Sequence, residues 1–281
     1  MITVENNLPK TYVVSDTKIN TQTLEKLLLD SNKSYLLKNW GENNKEPQKI
    51  SSLEKHLEIL GRYFELYSDE KYDNTSYFKE VLKNNYSNFI LQHANVNIIF
   101  KDISINFLMI LLRLQESNMA LINNKLGFEK LGFWLPPIMD QNSHKDASLK
   151  FGLACSNLAK SIDELLTYYN YSAISSEDNL LAEKLRSNIV RLLPISTQLS
   201  LGINCSILAW RQLLIKCTDF SSEDELRYVF MNLAKDLKVR YYSLFQDCVL
   251  EDSAGKTYGL DTLKTDDKMW YRFKLKFKLE S

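Results

Sequence analysis

Chain breakers are scarce, with 8 glycines and 5 prolines in 281 residues. Long regular elements are therefore expected, helices above all. Lys plus Arg equals Asp plus Glu at 35 each, so no global field steers the chain to nucleic acid or to a membrane, and any anion recognition must be local. The four cysteines, Cys155, Cys205, Cys217 and Cys248, lie far apart with no C-x-x-C pair. That excludes a small disulfide framework, and the residues read as reduced thiols of a cytosolic protein. None of the three histidines, His56, His93 and His144, has a second ligand at a spacing typical of zinc, so no metal is expected. The sequence lacks G-x-S-x-G, G-x-x-x-x-G-K-[ST] and G-x-G-x-x-G, which disfavours the common serine-hydrolase and phosphate-loop designs. The N-terminus MITVENNLPKTYVV has no basic region followed by an apolar run, so a secretory signal is not expected. The apolar run at 107–112 is too short to span a bilayer.

What is present is an ordinary globular balance, 44% apolar and 25% charged, in a chain long enough for one large domain or two small ones. The most organised stretch runs from Leu91 to Pro137. Val96, Ile98 and Phe100 alternate with Asn95, Asn97 and Lys101, the period of a half-buried strand, which Ile99 breaks. Asp102 or Ser104 can then cap a helix dense in apolar residues, at whose end Arg113 is the first positive charge. A polar loop containing Asn118, Asn123, Asn124 and Lys125 follows, and Gly127, Gly132 and Pro136-Pro137 punctuate an aromatic segment. Strand, buried helix and polar loop can present the loop to a ligand; the same order also serves as plain core.

Elsewhere, a strand is expected at Thr11–Val14, and helices with capping by Thr21 or Thr23, from Ser51-Ser52, and around Tyr77–Leu82. A long helix is expected over Ala147–Tyr169, another starting at Ser175–Asp178 and ended by Pro194, and a polar-apolar helix over 195–217. Ser222 with Glu225 reads as a capping box opening a helix through Leu244. In the tail, Tyr271, Phe273, Leu275, Phe277 and Leu279 alternate with Arg272, Lys274, Lys276 and Lys278, a strand with one apolar and one basic face. Those lysines either guard an edge strand against association or present an anion-facing surface. The aromatics lie opposite the charges and cannot stack bases that the charges attract, which weighs against nucleic acid.

One resemblance reaches further. YFKEVLKNNYSNFILQHANVNIIF resembles the short helix, polar turn and glutamate-histidine pair entering a strand of the flavin-dependent thymidylate synthase (ThyX) family, with Gln92 and His93 at the pair. The family's signature R-H-R-x-x-S-x-N/Q-x-x-S-x-R is matched in register by RLQESNMALINNK. Arg113 keeps the first arginine, and Leu114 and Gln115 replace the next two residues. Asn118 stands for the first serine, Ala120 for the amide, Asn123 for the second serine and Lys125 for the last arginine. FWLPP matches the family's short β segment ending in proline, and Leu192-Leu193-Pro194 followed by Glu225-Leu226-Arg227 matches its second half. Ser200 and Cys217 stand where that half carries phosphate-gripping arginines, with Arg211 and Lys216 nearby as substitutes.

The resemblance implies an α+β, ThyX-like fold, mostly helical, in which a central antiparallel or mixed sheet containing Ala94–Phe100 is wrapped by long helices at Ile105–Leu114, Ala147–Tyr169 and Ser222–Phe245. It divides the chain into a helical extension at 1–70, a ThyX-like domain at 71–250 and a tail at 251–281 with the amphipathic basic strand. It also implies a cytoplasmic homotetramer of nucleotide biosynthesis. There, the reduced form of FAD supplies hydride and methylenetetrahydrofolate the carbon added at C5 of dUMP, a pyrimidine nucleotide. On this reading His93, Arg113 and Asn118 hold the cofactor, and Asn123, Lys125, Arg211 and Lys216 hold the substrate. The degenerate signature equally fits a family member that binds or assembles without catalysing.

Overall fold

A computed structural model of the chain describes residues 3–5, 7–18, 20–37, 50–64, 73–83, 87–114, 120–123, 130–135, 145–263 and 270–278. The described residues are mostly helical, with three small sheets. No helix among them is long and apolar enough to cross a membrane. In order the elements are β1 (Thr3–Glu5), β2 (Lys10–Asp16), α1 (Thr21–Asp30), α2 (Ser52–Tyr63), α3 (Asn74–Lys83), β3 (Asn95–Ser104), α4 (Ile105–Leu114), β4 (Ala120–Asn123), β5 (Lys130–Gly132), α5 (Lys145–Tyr168), α6 (Tyr171–Glu177), α7 (Asn179–Val190), β6 (Gln198–Ser206), α8 (Ile207–Thr218), α9 (Asp224–Arg240), α10 (Tyr242–Phe245), β7 (Cys248–Asp252), β8 (Thr257–Tyr258) and β9 (Phe273–Phe277). The sheets run β1-β5, β2-β3-β6-β4 and β8-β7-β9. The chain forms two compact units that interleave in sequence, and the first two of the three expected segments contribute to both.

The first unit comprises Met1–Tyr12, Ile99–Gln115 and Leu121–Gly202. Its core packs Cys155, Ala159 and Ile162 of α5 against Leu131, Phe133, Ile189 and Leu193. β1 pairs in parallel with β5, Val4 facing Leu131. The start of α4 shows why a helix begins where it does. Ser104, and not Asp102, is the cap, its hydroxyl accepting from the Phe107 amide at 3.0 Å. The Ile105 and Asn106 amides, which a first turn leaves without helical partners, donate to the carbonyls of Thr197 and Ile195. Asp102 itself takes a left-handed conformation (φ 61°) in the last turn of chain before that cap, a strain that aspartate tolerates better than most residues.

The second unit comprises Val13–Ile98, Glu116–Ala120 and Ile203–Ser281. Trp210 of α8 is fully buried, and its indole N–H donates to the Val96 carbonyl at 3.0 Å. β9 pairs antiparallel with β7, Leu275 facing Leu250. Two carboxylates, Glu54 buried and Asp16 half-buried, tie distant segments together. Glu54, in a capping box with Ser51 at the head of α2, also accepts from the Ser243 amide of α10 at 2.7 Å. Asp16 accepts from the Tyr241 hydroxyl at 2.8 Å, and burial together with that carboxylate holds the phenol proton far more tightly than usual.

Three expectations are corrected. Residues 195–217 are not one helix: 198–206 form β6, because Leu199, Leu201, Ile203 and Cys205 alternate with less buried Ser200, Gly202 and Asn204. Ser222 does not cap α9; Glu223 does, accepting from the amides of Glu225 and Leu226, while the Ser222 hydroxyl donates to the Lys216 carbonyl. The helix expected to run on through Leu244 breaks at Tyr241, whose φ and ψ are −130° and 61°.

Glu54 generates a pH prediction. Its side chain is 1% exposed, and burial raises its carboxyl above the ordinary 4.5 against the lowering pull of the Ser51 and Ser243 hydrogen bonds. The folded state therefore binds this proton more tightly than the unfolded chain. The stability so conferred is complete below the unfolded value and is lost as pH rises through the folded one. In urea melts from about pH 4 to about pH 8, wild type should lose stability relative to Glu54→Gln as pH rises. A difference that is flat or runs the other way would show that Glu54 ionises freely.

Candidate functional site

His93 ends a 3-10 turn, Ser87–His93, and is exposed, as is its neighbour Gln92. The turn is fixed from behind: Ala94 is buried, and its carbonyl accepts from the Ile207 amide at the head of α8. His56 of α2 lies within electrostatic reach. Its proton affinity is lowered, first by burial and then by His93, and its Nδ1 is buried without a hydrogen-bond partner.

Arg113 occupies the last turn of α4, with Phe107 and Leu111 buried on the opposite side of the helix. It is exposed and has no hydrogen bond or ion pair with any described residue. It therefore does not serve the terminal carbonyls of its own helix, the ordinary role of a cation at that place. A guanidinium in this state keeps its planar donor fork available for a carboxylate or phosphate. Asn123 lies in β4, in the same sheet as β6, and Asn118 and Lys125 lie outside the described residues. Arg113 and Asn123 belong to the first unit, and His93, Arg211 and Lys216 to the second.

Arg211 corrects the expectation placed on it. It does not face solvent or a ligand. Both terminal nitrogens engage the Asp247 carboxylate, at 2.8 and 2.6 Å, and one also donates to the Leu244 carbonyl at 2.6 Å. The guanidinium lies 3.8 Å from the Phe277 ring centroid, with Phe245 at 5.9 Å. Fork-to-fork pairing inside a dry, aromatic-lined pocket is a structural ion pair. Lys216 is exposed near the end of α8, and Cys217, beside it, is buried. The sequence reading missed Asp247, since nothing local to it shows that an arginine 36 residues earlier will meet it.

No protein-family model matches the chain, and no curated protein matches its sequence. Among solved structures, the UMP/dUMP methylase PolB from Streptomyces cacaoi, bound with 5-Br dUMP, aligns over 87% of this chain and 96% of its own, with a TM-score of 0.52 and 11% identity. The chain shares the PolB fold. Two structures of ThyX from Helicobacter pylori with FAD and dUMP align with TM-scores of 0.46 and 0.49 and identities of 12% and 14%, over 85% and 70% of this chain and 100% and 95% of theirs. The likeness to PolB is one of backbone, and it extends over nearly all of both chains.

The buried pair supplies a test of Arg211. Arg211→Ala strands the Asp247 carboxylate in a buried pocket, and truncating one partner of such a pair costs about 3–5 kcal/mol. Guanidinium melts should show a loss of that size. A loss below about 1 kcal/mol, the scale of a surface pair, would mean that the side chain is solvated and available to a ligand.

Proposed function

We propose that this chain is a diverged, ThyX-like enzyme that modifies a pyrimidine nucleotide, transferring a one-carbon unit to C5 of dUMP or a related uridine nucleotide with the help of reduced flavin. The observation that carries the reading is the fold shared with PolB over 87% of the chain. Arg113, in register with the first arginine of the family signature and engaged by no described residue, supports it.

On this reading FAD is held by His93, Arg113 and Asn118, and the nucleotide by Asn123, Lys125 and Lys216. When bound, the flavin supplies hydride and methylenetetrahydrofolate supplies carbon. This chain's residues bind and orient: Arg113 offers a bidentate fork to a phosphate, and Lys125 offers a point charge without the fork. The asparagine amides offer donors where negative charge develops on the uracil ring. The active form is a homotetramer with the central sheet wrapped by its long helices. A second reading, nucleotide binding or assembly without catalysis, is favoured by Arg211. That side chain is tied to Asp247, and Ser200 and Cys217 stand at the expected phosphate-gripping positions.

Calorimetry separates the two. Wild type should bind FAD and dUMP, and purified protein should carry flavin absorbance near stoichiometry. Arg113→Ala should weaken binding by about 1.5–3 kcal/mol, the range for a hydrogen bond to a charged group. If Arg113 only sits at a helix end, the same variant should instead lose about 0.5–1 kcal/mol of stability with affinity unchanged. Binding of dUMP without flavin and without turnover would favour the second reading, and binding of neither would remove the nucleotide reading altogether.

A further inference from the structure

We propose that α2 and the turn Ser87–His93 form an acid-sensitive latch, which holds the turn, and with it His93, only while His56 is uncharged. The latch stands whether or not the chain binds a nucleotide. The turn rests on α2. Its Ile90 and Leu91 are buried, and Ile90 lies against α2, 3.7 Å from where a Cβ on Gly61 would stand. His93 ends the turn and is exposed, and half-buried His56 of α2 is within electrostatic reach of it. The Nδ1 of His56 is sealed from solvent and has no hydrogen-bond partner.

A neutral imidazole with its proton on Nε2 leaves only a lone pair at Nδ1. An imidazolium carries N–H on both nitrogens, so protonating His56 in place puts a charged donor at Nδ1 with no acceptor. Such a donor loses its water and gains no bond, a penalty that is larger for a charged group. His93 adds repulsion when it is charged itself. The carboxylates near α2 are already engaged. Glu54 is bound to Ser51 and Ser243, and Glu58 to Arg62 and Asn74. On α3, which also packs on α2, Glu80 pairs with Lys83 at 3.0 Å and leaves Lys79 as a further cation. Lys33 donates to the Tyr63 carbonyl at the far end of α2. His56 therefore takes a proton by leaving its place, and that loosens α2 from the turn. In the packed state it binds the proton less tightly than the ordinary 6.5, and on opening it regains that value. The hold on the turn is complete above about 6.5 and weakens as pH falls below it. Glu54 acts in the opposite sense, since its raised carboxyl favours the packed state at lower pH.

Hydrogen exchange of the full chain reads the latch. Opening of residues 89–94, corrected for the intrinsic rate, is compared between wild type and His56→Gln, whose amide nitrogen stands in for Nε2–H and takes no proton. The comparison cancels the contribution of Glu54. Relative to the variant, wild type should open more readily as pH falls, by up to about tenfold between about pH 7.5 and about pH 5.5. The turn should also exchange faster than β7, since it opens without the rest of its unit. His93→Gln should shrink the pH effect by removing the neighbouring charge, which a merely space-filling role for His56 does not predict. If the glutamine variant fails to fold, His56→Phe keeps a ring that takes no proton and serves as the reference. Proton NMR of wild type adds a reading that needs no variant: one imidazole should stay neutral below the ordinary 6.5. The latch is overturned by a wild-type-to-variant ratio that is flat or rises with pH, or by a turn that opens only as fast as β7. It is equally overturned if every imidazole titrates at or above 6.5.

Discussion

A guanidinium drawn largely out of water needs an opposite charge beside it, and around Arg211 that requirement organises the C-terminal third of the second unit. Desolvating an ion pair costs several kcal/mol per ion, and the attraction between the charges offsets this only when the geometry is complete. Completeness here draws on four places in the chain: α8 for the arginine, the Leu244 carbonyl of α10, the Asp247 carboxylate, and Phe277 of β9 as a lid over the cation. The backbone of Asp247 is used as well, its carbonyl accepting from the Lys278 amide. The strand that reads as a tail in the sequence is thus part of the pocket. Its removal would uncover a charge, and this ties residues 270–278 to the stability of α8.

The same economy governs the edge of β9. Lys274 and Lys276 look in the sequence like guards against edge association, but both turn to Glu251 on β7, holding its carboxyl below the ordinary range. The outer edge is closed by other side chains. Thr218 accepts from the Leu275 amide, and one Arg227 nitrogen donates to the carbonyls of Tyr271 and Phe273. Backbone groups with no strand to pair with are satisfied by α8 and α9, a closure that needs long-range contacts and is invisible to local pattern.

How much was legible depends on whether a signal is local. β3 and α4 were readable because Val96, Ile98 and Phe100 show a clean two-residue period and Ser104 sits directly before a dense apolar run. β6 was also written in the sequence, as Leu199, Leu201, Ile203 and Cys205. It lies against the equally apolar Ile207–Leu214, and the joint run read as a helix. The cap of α9 failed for a subtler reason. Ser-x-x-Glu is a sound pattern, but Glu223, one residue later, can reach two first-turn amides while Ser222 finds the Lys216 carbonyl. Of the candidate site, Arg113 was legible as the first positive charge at the end of an apolar helix, and His93 was singled out only through the family resemblance. Arg211 could not be, since its fate is decided by a carboxylate 36 residues away.

Arg113 and Arg211 show why residue type by itself cannot assign an anion site. Both are arginines on apolar helices, and both stand near positions where the family signature wants a positive charge. Recognition of a phosphate needs donors that are oriented yet still open, because each hydrogen bond already made within the fold must be broken before the ligand gains one. Arg211 is oriented by three hydrogen bonds to Asp247 and Leu244, so its charge contributes to folding and is withheld from any ligand. Arg113 has the reverse balance: no described residue engages its guanidinium, at the far end of a helix whose first turn is held by Ser104, Thr197 and Ile195. An oxyanion can be met only by cations that the interior has not claimed, and of these two arginines only Arg113 is not engaged by any described residue.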